Sequence, residues 1–81
     1  MAERQLIPII AVFTGLSDRG VAVADGLLAG DRITSISNMA TGTSHVADFG
    51  SFIPADGYIA QIRSVDLSAQ LFVVCVERVV E

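Results

Sequence analysis

The chain divides into short apolar stretches set between glycines and small polar clusters, and the stretches differ in how strictly polarity alternates. Leu6 to Phe13 and Leu71 to Val76 carry apolar residues at consecutive positions. A strand of that kind is apolar on both faces, so both faces need cover. Pro8 has no N–H to give to a ladder, which places its end of the first strand at an edge or a bulge. Val21 to Ala24 predicts a second short strand, ended by the Asp25-Gly26 turn signal, and Arg32 to Ser37 a third, entered through Gly30-Asp31. Phe49 to Ile53 and Tyr58 to Ser64 predict a pair joined through Pro54-Ala55-Asp56-Gly57. Proline presets its own φ there and glycine accepts a positive one. In the later member of that pair, Ile59, Gln61 and Arg63 form the more polar face, and Tyr58, Ala60 and Ile62 the other. Val65 to Ala69 is the one stretch expected to make a helical turn, just before the final strand begins at Leu71.

Glycines at 15, 20, 26, 30, 42, 50 and 57 leave little room for helices. The expected fold is therefore all-β: one domain over residues 1–81, a small barrel or sandwich of about five to seven short strands. Gly26, Gly30, Asp31, Asp56 and Gly57 are the expected turn-formers. Ala-Asp-Gly occurs at 24–26 and again at 55–57, which reads as two independent uses of one good turn.

Composition sharpens the question of cover. Hydrophobic residues make up 52% of the chain and charged residues only 17%, against a usual charged share of roughly a quarter. A chain this short buries only roughly 60–65% of its unfolded surface, so some of the apolar excess must lie outside. Large exposed apolar patches mark interaction sites. The net charge is −4, with Arg4, Arg19, Arg32, Arg63 and Arg78 scattered along the chain and no lysine. Phosphate backbones and anionic membrane surfaces require clustered positive charge, which argues against both nucleic acid and membrane as partners. Arginine suits subunit contacts, because its guanidinium pairs in bidentate fashion and tolerates partial burial. No run reaches the ~20 apolar residues of a spanning helix. Leu6 to Phe13, interrupted by Pro8, makes a poor signal peptide, so cytoplasmic synthesis is expected.

Candidate chemistry is sparse. His45 is the only histidine, and with Ser44 beside it and Asp48 three residues on it could join a Ser-His-Asp arrangement, yet no Gly-x-Ser-x-Gly elbow presents a serine. Cys75 lies between Val74 and Val76, where burial would leave a thiol inert. One His and one Cys thirty positions apart lack zinc spacing, and the aspartates do not form a calcium loop. No catalytic, cofactor-binding or metal-binding residues are expected.

Two stretches resemble known families. Gly26-Leu27-Leu28-Ala29-Gly30-Asp31-Arg32-Ile33-Thr34-Ser35-Ile36 resembles the segment that turns the chain into a core strand in PDZ domains, and Phe13-Thr14-Gly15-Leu16 is similar to a carboxylate-binding loop. The resemblance implies a peptide-binding module that uses a sheet edge. Residues 30–62 (GDRITSISNMATGTSHVADFGSFIPADGYIAQI) with 66–78 (DLSAQLFVVCVER) resemble small β-rich bacteriophage or prophage structural proteins. That resemblance implies a virion component, capsid-decorating or head–tail, with other virion proteins as partners.

The favoured expectation is a non-enzymatic assembly protein that forms a homo-oligomer through apolar β surfaces. Its expected contacts are Leu71, Val73, Val74 and Val76 of the last strand with Ile9, Val12 and Phe13 of the first. The monomeric alternative is a closed barrel that hides both strands.

Overall fold

The computed structural model describes residues 5–80. The chain is all-β, and its described residues form five strands in two sheets with no closed barrel among them. The first sheet holds β1 (Gln5–Thr14), β5 (Leu71–Val80) and β3 (Arg32–Asn38) in the order β1-β5-β3, and the second holds β2 (Gly20–Val23) and β4 (Tyr58–Gln61). Every pairing is antiparallel. The two apolar stretches at either end of the sequence thus become neighbours, in register from Gln5↔Val80 to Thr14↔Leu71. β1 stands at the edge of the sheet, as Pro8 predicted.

Alternation decides which half of each strand is buried. Phe72, Val74 and Val76 of β5 face the second sheet together with Ala11 and Phe13 of β1 and Ile33 and Ile36 of β3. Phe13, Phe49 and Phe72 meet at the centre, with ring centroids 5.1 to 5.6 Å apart. β2 turns its small residue, Ala22, toward this core and its valines, Val21 and Val23, outward.

Several elements differ from expectation. Phe49 to Ile53 is not a strand, because its backbone is divided between two partners. Ile33 N donates to Ser51 O and Ile53 N to Asp31 O on the β3 side, whereas Gly50 N donates to Ala60 O on β4. The segment ties the two sheets together and makes only isolated bridges, Arg32↔Phe52 and Phe49↔Gln61. β4 stops at Gln61 because the next two amides, Ile62 and Arg63, both donate to Asp48 O. Val65 to Ala69 forms no helical turn: Asp66 Oδ1 accepts from Ser68 N and Ser68 Oγ, and Leu67 N donates across to Leu16 O. A single 3₁₀ turn occurs instead at Val46–Asp48.

The face of β4 expected to be polar points inward. Gln61 is only 2% exposed, and its amide serves the loops around it. Oε1 accepts from Leu16 N at 2.9 Å, while Nε2 donates to Val65 O at 2.9 Å and Arg63 O at 3.2 Å. Gln61→Leu has similar bulk but strands those backbone groups in the interior. It should lower unfolding stability by about 3 kcal/mol, read from urea midpoints, since each unmet buried polar group costs about 1–3 kcal/mol. An unchanged midpoint would mean that water reaches these groups.

The turn residues are tied together as one unit. Gly26, Gly30 and Gly57 have φ of 95°, 88° and 78°, a region open to glycine. The two Ala-Asp-Gly segments lie side by side, with Ala24 N donating to Gly57 O and Gly57 N to Leu27 O. Asp56 Oδ1 accepts from Ala29 N. Asp31 is buried and accepts from Leu28 N and from Arg78, whose Nε and Nη2 reach it at 3.0 and 2.7 Å. These bonds clamp the base of the β1–β5 ribbon to the turn.

Candidate functional site

The outward face of β1 and β5 follows from the same alternation. Leu6, Ile10 and Val12 of β1 lie beside Val79, Cys75 and Val73 of β5, and Leu71 lies beside Thr14. Ile10 is 68% exposed and Leu6 60%; Val12, Leu71 and Val79 are exposed and Val73 and Cys75 half-buried. They make an apolar strip along two strands, interrupted between Ile10 and Leu6 by the Pro8↔Glu77 pair on the same face. Its border on the β3 side is polar: Arg32, Ser35 and Ser37, with Arg32 paired to Glu77 at 3.7 Å. Past Arg32↔Glu77 the β1–β5 ribbon continues without β3, and there Ile7 and Val80 are exposed on the other face too. Two-stranded ribbons are at best marginally stable in water on their own.

The expected contact residues divide between two places. Leu71, Val73 and Val12 belong to the strip. Val74, Val76 and Phe13 are a correction: they lie in the core of the protomer, because period-2 alternation with Phe72 turns them inward. Ile9 is half-buried on that inner side, packed against the core. Cys75 is likewise corrected, since it faces outward beside Ile10 and is half-buried. Leu6, Ile10 and Val79 were missed. An uninterrupted apolar run does not tell which alternate half a domain keeps; only the pairing register does. A second exposed apolar group, Val21, Val23, Tyr58 and Ile62, lies on the outward face of β2–β4 and also went unread.

The backbone adds a second feature. Gly15 N donates to Gln70 O, one step beyond the Thr14↔Leu71 pair, so odd-numbered residues of β1 direct their N–H and C=O toward β5. Even-numbered residues direct theirs to the open side. Pro8 is among these, so the ladder loses no bond to it. No described residue supplies a backbone partner on that side. β3, at the opposite edge, is covered by the loop that follows it: Asn38 N donates to Thr43 O, His45 N to Ile36 O and Ile33 N to Ser51 O.

The chemistry-bearing residues have structural partners. His45 Nδ1 lies 2.9 Å from Asp48 Oδ2, Arg63 Nη1 donates to Asp48 Oδ1 at 3.1 Å, and the His45 ring packs edge-on against Phe72. The bond with His45 holds the Asp48 carboxyl below the usual carboxylate range, against its burial and helped by Arg63. An orienting carboxylate is thus present, but no described hydroxyl or thiol is hydrogen-bonded to the other ring nitrogen. Among the described residues no three His, Cys, Asp or Glu side chains gather as a metal site. A depression of about 330 Å³ lies between Asn38–Ala40 and Ala69–Leu71, at one end of the strip. Gly15 N and Leu16 N, which a carboxylate-binding loop would leave free, are engaged by Gln70 O and Gln61 Oε1. No described helix is long and apolar enough to cross a membrane.

No protein-family profile, curated protein or solved structure matches the chain.

Proposed function

We propose that the protein is a non-enzymatic assembly module that associates with copies of itself through the β1–β5 surface. The observation that carries this reading is the coincidence, on one strand pair, of an apolar outer strip and a ten-residue edge to which no described residue gives a backbone partner. β1 has no charged residue from Gln5 to Thr14, and Pro8 is its one protective device. Long, uncharged edges invite pairing, and proteins that stay single usually blunt them with charge, bulges or short length. Support against a catalytic role is the tethering of His45, Asp48 and Arg63 to one another. The likeness of residues 30–62 and 66–78 to phage structural proteins favours a place in a virion, and a particle built from many copies would supply the cover.

Leu71→Lys tests the strip. Leu71 is half exposed, so the change should leave the fold intact and lower the mass in light scattering below that of the unmodified protein. Equal masses for the two would remove the strip from the contact. An open edge also fits a foreign extended peptide; saturable binding of such a peptide by a monomeric chain would favour that second reading.

A further inference from the structure

Resting on that self-association, we infer that the edge of β1 pairs with β1 of a second copy, antiparallel, about a two-fold axis at Val12. In this register Val12 faces its own counterpart and Ile10 faces Thr14 of the other copy.

Size sets the first condition. Ten residues at ~3.4 Å and two strands ~4.8 Å apart give the strip a footprint of about 330 Å². A stable interface needs about 800 Å² from each partner. One strip packed against another therefore falls well short. Two strips joined at their β1 edges form one surface of about twice the size, and the open edge is where they can be joined. Because only Ile10, Val12 and Thr14 are needed from each copy, the same segment serves both, as two-fold contacts require.

Pro8 selects the register. It sits among the residues whose backbone faces the open side, where it offers a carbonyl and no N–H and where its ring would abut an incoming strand. Registers centred on Ile10 or Ala11 bring Pro8 opposite Val12 or Thr14, and each loses a bond in both copies. Centring on Val12 puts Pro8 beyond the paired stretch, and every even residue from Ile10 to Thr14 then exchanges both its bonds. β1 itself carries no charge to oppose the approach, and the central pair is Val12 against Val12, a favourable cross-strand match. The product is a six-stranded sheet with two strips side by side on one face, and two such sheets packed on those faces would close a four-copy assembly.

Hydrogen exchange by NMR on the full chain, at a concentration where scattering shows association, reads the register directly. The amides of Ile10, Val12 and Thr14 should exchange at least about 100-fold more slowly than that of Leu6, and the difference should vanish on dilution. Thr14→Pro supplies a second readout. Its N–H faces the open edge, so the β1–β5 ladder keeps its bonds, while the mass should fall below that of the unmodified protein. If the unmodified chain associates but these three amides exchange as freely as Leu6, or if Thr14→Pro keeps the full mass, the edge pairing is wrong and self-association stands on other surfaces. A monomeric unmodified chain would overturn both.

Discussion

Gly15→Ala should unfold the protein under conditions where the unmodified chain is stable, a loss of more than about 3 kcal/mol, at or beyond the upper end of what overpacking usually costs. A Cβ at Gly15 would lie 2.5 Å from Leu67 O, 2.6 Å from Leu67 Cβ and 2.9 Å from Phe72 Cε2. Neither residue can retreat easily. Leu67 is buried and its amide is fixed to Leu16 O, and Phe72 is the ring on which Phe13, Phe49 and His45 converge. The backbone angle at Gly15 is not the issue; the close approach is. Gly20→Ala is the control, since its Cβ would meet only the flexible end of Leu16 at 3.2 Å, and a change within about 0.5 kcal/mol is expected. Equal midpoints for Gly15→Ala and the unmodified chain in urea would show that the Leu67 loop can lift off β1.

Asp31→Ala is expected to have an effect of similar size, about 3 kcal/mol, the lower end for breaking a buried ion pair because Arg78 keeps some contact with water. The carboxylate accepts two bonds from Arg78 and one from Leu28 N, so its removal strands a guanidinium and a turn amide together. The bond from Arg78 holds the Asp31 carboxyl below its ordinary value of 3.8, with burial opposing and the Leu28 amide assisting. The sign of the pH effect follows. A carboxyl depressed in the folded chain contributes its full stability above the unfolded value and loses it as pH falls through the folded one. Stability should therefore hold at neutral pH and decline below 3.8. Asp48, depressed by His45 and Arg63, acts in the same direction. Asp31→Asn should flatten part of that acid limb in urea titrations; an unaltered limb would mean that Asp31 is not clamped.

How far the sequence could be read depends on what kind of signal each feature left. β1 and β5 were legible because apolar runs between turn residues leave few alternatives, β3 because the Gly30-Asp31 turn introduces it, and Pro8 marked the edge through its missing N–H. The sandwich was legible only as one of two options. Phe49 to Ile53 was not, because a segment that gives its amides alternately to β3 and β4 looks in composition like an ordinary strand. Gln61 misled because a polar side chain at a strand position usually faces water, whereas here it replaces backbone partners for three loop groups. In β2, valine and alanine alternate, both apolar, and nothing in the sequence tells that alanine goes inside. For the candidate site, the sequence showed that apolar side chains would lie outside, but Leu6, Ile10 and Val79 could be separated from Val74 and Val76 only once the register was known.

The claim that copies of the chain cover the β1–β5 surface is tested most directly by sedimentation velocity on the unmodified protein at micromolar concentration. The expected result is a species whose mass is a multiple of 8.5 kDa, giving way to smaller species on dilution. A single 8.5 kDa species at every concentration would contradict it.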